Sequence, residues 1–309
     1  MKKEIRLIEY MSLYKFHTFR TDYYFPDLKK GNEFLFGLYH PYNRYPVRLL
    51  AVRLYWWLFK HCIAIRKRTL VENPDDEFPY SKILAFCPKG SVMSFNMGTP
   101  GIERKISMLG LEAGGRHFFA KYSSLPTAMS LSRNEIKYLS VLKESGLVPR
   151  LLDSKEGDDY VFFRTECVDG KNPKEVRMND AILHLTVRIS KHMRTDGELK
   201  CALSHGDFTP WNMIITYDGD YKMIDWEMAA ERELGYDLFT YITHVGSLLS
   251  PDLSFTQLIE HDRTYIERYF VSFDIKDWTH YLKAFAQRRI LYEKSKGDLE
   301  RAKQYECLL

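Results

Sequence analysis

From residue 89 the chain alternates apolar and polar positions in twos. Residues 89–95, 105–111 and 116–121 read as strands, with NMGTPG at 96–101 and EAGG at 112–115 as the turns between them. The period then lengthens: Ile136, Leu139 and Leu142 recur every three residues and Gly146 stops the run, which predicts a helix. Residues 147–153 supply a short strand and the aromatic run at 159–168 a longer one, giving a five-stranded antiparallel sheet with one inserted helix. Beyond it the helical period dominates. Ile182, Leu185, Ile189 and Met193 mark a helix over 180–193, and helices are expected over 256–271 and 277–308. Between them lies a compact hairpin: HGDFTPWN at 205–212, a strand over 213–217, the turn DGD at 218–220 and a returning strand over 221–226. The fold class is therefore α+β.

The first part of the chain follows neither period well. Residues 1–48 are aromatic and basic and read as short strands or extended segments; residues 47–71 read as a helix on which Arg53, Lys60 and Lys67, seven apart, form a basic stripe. Such a helix is either clamped against the main body or laid on an anionic membrane surface with its cations at the headgroups. It does not span a bilayer, because Arg53 and Lys60 interrupt the apolar stretch at 49–65. The polar run ENPDDEFP at 72–79 is a linker, so three regions are expected: a basic aromatic extension over 1–88, a strand-rich region over 89–168, and a mostly helical region over 169–309.

Composition narrows the function. With 45 Lys and Arg against 41 Asp and Glu in 309 residues, the net charge of +4 is too small for a polyelectrolyte binder, and no nucleic-acid partner is expected. Lys and Arg are concentrated in residues 1–70, and acids in 218–240. Cys62, Cys87, Cys167, Cys201 and Cys307 are scattered without a CxxC pair, which suggests neither a disulfide framework nor a zinc site. The opening KKEIR leads into no apolar leader segment, so the protein is expected in the cytoplasm, with residues 1–80 as its contact to the inner face of the membrane.

The hairpin carries the chemistry. Asp207 sits in a loop held by Gly206 and Pro210, Asn212 follows where the strand begins, and Asp225 ends the returning strand, so three oxygen-bearing side chains come to one edge. Phosphoryl transfer needs such a set: an aspartate to orient a hydroxyl and take its proton, and hard oxygen ligands for Mg²⁺. HGDFTPWN followed by IDWE resembles the aminoglycoside phosphotransferase and choline kinase-like family of small-molecule kinases. The resemblance covers about residues 89–245 and implies a two-lobed, protein-kinase-like fold using ATP and Mg²⁺. It makes Asp207 the catalytic base, Asn212 and Asp225 the metal ligands, and His205 and Asp237 braces of the catalytic loop.

The same resemblance implies a nucleotide site. Lys121, at the end of RHFFAK, would contact the phosphates while Glu135 on the next helix holds its side chain. Glu135 also stands three residues after Ser132, the spacing of a helix capping box. Gly98 and Gly101 occupy the turn that would cover the phosphates, and the segment from Thr165 through Cys167 and Val168 is where the backbone would meet the base. The motif DWE replaces the DFG of protein kinases and no APE segment follows, which disfavours protein substrates.

The acceptor is a small molecule bearing a hydroxyl. Trp211, Trp226 and Glu227 lie beside the expected reaction centre, where a sugar could stack or a cationic amine be held; either tryptophan could instead pack in the core. The C-terminal helices that would wall the acceptor cleft carry Asp262, Arg263, Arg288 and Arg289. A sugar or sugar-bearing envelope precursor fits the basic extension. Glu227, Glu231 and Glu233 would suit an aminoglycoside instead, and a non-catalytic binding module is the third class.

Overall fold

The computed structural model describes residues 13–17, 21–26, 34–35, 54, 57–59, 61–62, 64, 67, 69–174, 176–192 and 197–309. The chain divides into two compact units, one of residues 1–136 with 150–167 and the other of 137–149 with 168–309. Arg53, Lys60 and Met193, on which two of the expected helices rest, lie outside the described residues.

The first unit is built on an antiparallel sheet larger than the alternation at 89–168 implies. Its strands are β1 (Leu13–His17), β2 (Asp22–Pro26), β3 (Leu70–Val71), β4 (Val92–Asn96), β5 (Ile106–Leu111), β6 (His117–Ser123), β7 (Leu151–Glu156) and β8 (Val161–Glu166), in the order β3-β1-β2-β4-β5-β6-β8-β7. The five expected strands are β4 to β8. Three more come from the part read as an extension, where β1 pairs with both β2 and β3, and β2 lies against β4 with Tyr23 opposite Asn96. The reason is side-chain supply: Leu13 and Tyr24 are buried with Phe78, Tyr80, Phe95, Met108, Phe118 and Phe162, and water contact with so much aromatic surface is costly. A helix over Tyr80–Phe86 (α1) follows where the sequence suggested only a boundary. Helix Pro126–Val141 (α2) opens on a proline, whose missing N–H lies among those a helix start leaves unpaired in any case.

One buried arginine ties this sheet together. The Arg164 side chain on β8, only 8% exposed, donates from Nε to Asp153 Oδ1 of β7 at 3.0 Å and from Nη1 to Glu112 Oε1 at 3.0 Å, with its guanidinium 5.0 Å from the centre of the Phe118 ring. Two carboxylates and an aromatic face compensate its lost hydration.

The second unit contains β9 (Gly170–Lys171), β10 (Cys201–Ser204), β11 (Met213–Thr216), β12 (Tyr221–Met223) and β13 (Ala230–Glu233), in two small sheets ordered β10-β13 and β12-β11-β9. Its helices are α3 (Asp180–Ser190), α4 (Tyr236–Thr240), α5 (Gly246–Leu249), α6 (Phe255–His261), α7 (Arg263–Val271), α8 (Thr279–Ser295) and α9 (Leu299–Glu306). The starts are chemically marked. Asn179 accepts the Ile182 N–H at α3, Ser254 and Gln257 form a capping box at α6, and Asp298 accepts the Arg301 N–H at α9. Phe239, Phe270, Phe285 and Tyr305 lie at the centre of the core these helices enclose. The α+β expectation holds, the expected long C-terminal helices are each broken once, near Asp262 and Gly297, and no helix among the described residues is long and apolar enough to cross a membrane. All five cysteines are free, and burial pushes the Cys87 thiol up to about 12.

Between α4 and α5 runs a turn of π-helix, Tyr241–Val245. It carries His244, whose pKa is lowered to about 4, first by burial and then by the cations of Arg301 and Arg289. The folded pKa lies below the unfolded value of about 6.5, so below that pH the unfolded chain binds a proton that the fold rejects, and stability falls until pH reaches about 4. His244→Gln removes this linkage. Relative to the variant, the parent should lose roughly 2 kcal/mol between pH 7 and 5, approaching about 3 kcal/mol at pH 4. Urea denaturation of both proteins at these pH values checks it; parallel pH profiles would show that His244 titrates normally.

Candidate active site

The loop before β11 is shaped by a single carboxylate. Asp237, at the start of α4 and 3% exposed, accepts the backbone N–H of His205 at 2.7 Å and of Gly206 at 3.0 Å. Burial pushes its pKa up to about 6 against the opposing pull of those two donors. Gly206 adopts φ +87°, and a Cβ there would run into the carbonyl oxygen of Met228, so glycine is required on both counts. His205 is wholly buried; its Nε2–H donates to Ile224 O at 3.0 Å and its ring lies 4.7 Å from that of Trp226. Burial lowers the His205 pKa, which keeps the ring neutral.

These contacts present Asp207. Asn212 Nδ2 donates to Asp207 Oδ2 at 2.9 Å and to its backbone oxygen at 3.0 Å, which leaves Asn212 Oδ1 as that side chain's acceptor. Burial raises the Asp207 pKa and the nearby Asp225 carboxylate raises it further, while His205, Asn212 and Arg289 pull it down. Asp225 stands at φ +69°, a left-handed conformation that a non-glycine residue adopts at a cost of about 1–2 kcal/mol. That turn redirects the chain from β12 into the short 3₁₀ segment Trp226–Met228. Below the loop, Asn172 Nδ2 reaches the carbonyl oxygens of Pro210, Trp211 and Met213 at 3.4, 3.2 and 2.8 Å. Sequence reasoning missed this brace, since an asparagine after a two-residue strand carries no periodic signal.

Within the first unit, Lys121 Nζ donates to Glu135 Oε2 at 2.7 Å, with the two side chains 9% and 5% exposed. A dry, direct ion pair between a central strand and a helix fixes the lysine head at one place. Glu135 does not close a capping box: Ser132 lies well inside α2 and its hydroxyl is bonded to that of Ser123 at 2.7 Å. Gly98, at φ +70°, lies in the loop after β4, where its N–H donates to Asn96 Oδ1 at 2.9 Å and a Cβ would strike the carbonyl of Lys105. Gly101 is exposed in the same loop, and Cys167 and Val168 follow directly on β8.

Residues 180–274 match the family model described as the phosphotransferase enzyme family, APH. The match takes in Asp207, Asn212, Asp225 and Asp237. The resemblance drawn from the two motifs therefore holds for this part of the chain. Among solved structures the chain is similar to amicoumacin kinase hAmiN in complex with AMP-PNP, Ca²⁺ and Ami, at 11% identity over 65% of this chain and 85% of that one, TM-score 0.47. It is also similar to a thermostable mutant of aminoglycoside phosphotransferase APH(4)-Ia in a ternary complex with ADP and hygromycin B, at 14% identity over 76% and 98%, TM-score 0.47. A third is an aminoglycoside phosphotransferase from Alicyclobacillus acidocaldarius, at 12% identity over 65% and 85%, TM-score 0.42. No curated protein sequence matches the chain.

The residues expected at the acceptor separate into different roles. Trp226 is wholly buried and donates to Met223 O at 2.8 Å, so it supports the loop from beneath and offers no stacking face. Trp211 is half-buried and meets the edge of His244 at 5.6 Å; Glu227 is also half-buried. Glu233 is buried and engaged by Arg288 at 2.9 Å, which takes both from the acceptor list, while exposed Arg263 pairs with Glu260 at the end of α6 and with Glu267 one turn along α7. Arg232 was not foreseen: it bonds Met228 O at 2.9 Å and also contacts Ser204 Oγ, with its guanidinium 4.6 Å from the Tyr236 ring centre.

Removing the Asp237 carboxylate should leave two buried N–H groups without an acceptor. Asp237→Ala is expected to lose about 2–4 kcal/mol of stability in urea denaturation at pH 7, and Asp237→Asn, which keeps one acceptor oxygen, distinctly less. Equal stability of Asp237→Ala and the parent would mean that the loop does not depend on this residue.

Proposed function

We propose that this protein is an ATP- and Mg²⁺-dependent phosphotransferase that moves the γ-phosphoryl group to a hydroxyl of a small molecule. The observation that carries the reading is the Asp207–Asn212 pair, held by Asp237 in a loop inside the stretch that matches the phosphotransferase family. Asp207, a partly buried carboxylate, orients the acceptor hydroxyl and takes its proton as the new O–P bond forms and the bond to ADP breaks. Asn212 Oδ1 and the Asp225 carboxylate fit a hard divalent cation, and the repulsion between Asp207 and Asp225 is of the kind such a cation relieves. Mg²⁺, when bound there, supplies charge neutralisation at the phosphates. Lys121, fixed by Glu135, binds phosphate oxygens, Gly98 and Gly101 lie in the loop assigned to cover them, and Cys167 and Val168 present backbone to the base. His205 and Asp237 are structural supports.

The acceptor we favour is a sugar or sugar-containing envelope precursor. Engagement of Glu233 by Arg288 removes one of the three acids that would have suited an aminoglycoside. In Asp207→Asn, Mg·ATP binding should survive calorimetric titration while transfer falls by roughly 10² to 10⁴, the usual size of general-base catalysis. A folded Asp207→Asn protein that transfers phosphate at the parental rate would sink the assignment.

The region over 1–80 is proposed to meet an anionic membrane surface. Leu54, Trp57 and Leu58 are exposed at 56%, 57% and 36% in a region rich in cations, the pairing that interfacial binding uses. Because β1 to β3 belong to the sheet, the test is substitution and not truncation. Replacing Leu54, Trp57 and Leu58 by Ser should abolish flotation of the full-length protein with anionic vesicles at low salt; absence of flotation by the parent would end the membrane reading.

A further inference from the structure

Two guanidinium groups converge on one buried tyrosine beside the catalytic loop. Arg289 of α8 and Arg301 of α9 lie 5.3 and 5.8 Å from the centre of the Tyr305 ring. Tyr305 is 0% exposed, and its hydroxyl and the Nε–H of Arg289 are buried with no hydrogen-bond partner. Buried polar groups left unpaired on two side chains in contact are rare in a folded interior, because each loses its hydration without return. The charge there is also unbalanced. Glu293 pairs with Arg289, whereas Arg301 donates to Ser247 Oγ at 3.3 Å and Gln304 Oε1 at 2.9 Å and has no carboxylate partner among the described residues. A water molecule would satisfy the donors and leave the excess positive charge in place; an oxyanion answers both.

The place connects to the loop. Ser247, which accepts from Arg301, donates to the His244 carbonyl at 2.9 Å, and the His244 ring meets Trp211, next to Asn212, at 5.6 Å. Burial and the two arginines keep His244 uncharged, so it adds no further cation, and the field of Arg289 extends to Asp207. The Arg289 side chain is 11% exposed, with its Nε buried.

We propose that Arg289, Arg301 and Tyr305 form a subsite for an oxyanion, the carboxylate or phosphate of the acceptor. Resting on the phosphotransferase reading, this makes the acceptor an anionic hydroxy compound, such as a sugar acid or sugar phosphate. A polycation is excluded by the same charge. The three are specificity residues and take no part in proton transfer.

The subsite is tested without turnover. Inorganic phosphate and acetate are titrated calorimetrically into the full-length parent, Arg301→Gln, Tyr305→Phe and Lys121→Ala, in low salt without nucleotide. One of the two anions should bind the parent, with affinity lowered about tenfold in Arg301→Gln and about threefold or more in Tyr305→Phe, and unchanged in Lys121→Ala. Phosphate and acetate distinguish the two sources of the oxyanion. Tyr305→Phe deletes only an unbonded hydroxyl and should melt no lower than the parent, which separates loss of binding from loss of folding. No anion binding, or binding lost only in Lys121→Ala, overturns the subsite. The acceptor assignment is tested separately by comparing glucose, glucuronate, glucose 6-phosphate and hygromycin B by product mass in the presence of Mg·ATP. An anionic sugar should exceed glucose in kcat/KM by about tenfold, the advantage disappearing in Arg301→Gln through KM with kcat kept. Preference for glucose or hygromycin B overturns it. The titration decides the subsite whatever the transfer assay gives, so failure of the phosphotransferase reading is read separately.

Discussion

Two hydrogen bonds from consecutive backbone N–H groups to the Asp237 carboxylate set everything at the candidate site. A loop that turns at Gly206 with a left-handed residue has no ladder partner of its own, and its amides must find an acceptor or lose hydration without return. Because Asp237 belongs to the start of a buried helix, the loop inherits the rigidity of the helical core around Phe239, Phe270 and Phe285. Asp207 follows at once, and its contact with Asn212 is geometrically possible only while that turn is held.

Each of the two units solves the problem of a buried charge in its own way. In the strand-rich unit the charges are paired directly, Lys121 with Glu135 and Arg164 with two carboxylates, so that each cation has a defined position and little freedom. In the helical unit direct pairs also occur, Arg288 with Glu233 and Arg289 with Glu293, but the Asp237 carboxylate is met by backbone N–H groups alone, and the Tyr305 hydroxyl and the Arg289 Nε–H are left unmatched.

Legibility in the sequence followed the range of the interactions. HGDFTPWN and IDWE could be read because Asp207, Asn212 and Asp225 are brought together by one short hairpin, and β4 to β8 because period-two alternation is local. Pairing of β10 with β13 joins residues nearly thirty apart through strands of four residues, too short for periodicity to register. β1 and β2 were legible only as short strands or extended segments for another reason: aromatic residues fill both faces of β2, so alternation fades although Tyr24 and Phe25 are buried. Trp226 shows a limit of adjacency. It stands next to Asp225 in sequence, but the left-handed backbone at Asp225 turns the chain, and the indole goes inward. The spacing of Ser132 and Glu135 fitted a helix start, yet the helix begins six residues earlier, at Pro126.

The order of strands in the large sheet bears on how the chain comes off the ribosome. β1 and β2 emerge first and pair locally, but a two-stranded hairpin alone is marginal in water, and β2 gains its neighbour β4 only after about seventy more residues have been made. β3, from residues 70–71, must also return to the far edge of β1 across everything synthesised in between. During translation the aromatic faces of Tyr14, Tyr23 and Phe25 are therefore without their sheet for many seconds, at the usual pace of elongation. That interval gives this protein a window for holdase capture and for edge-to-edge association between nascent chains, set by topology and independent of how stable the finished sheet becomes.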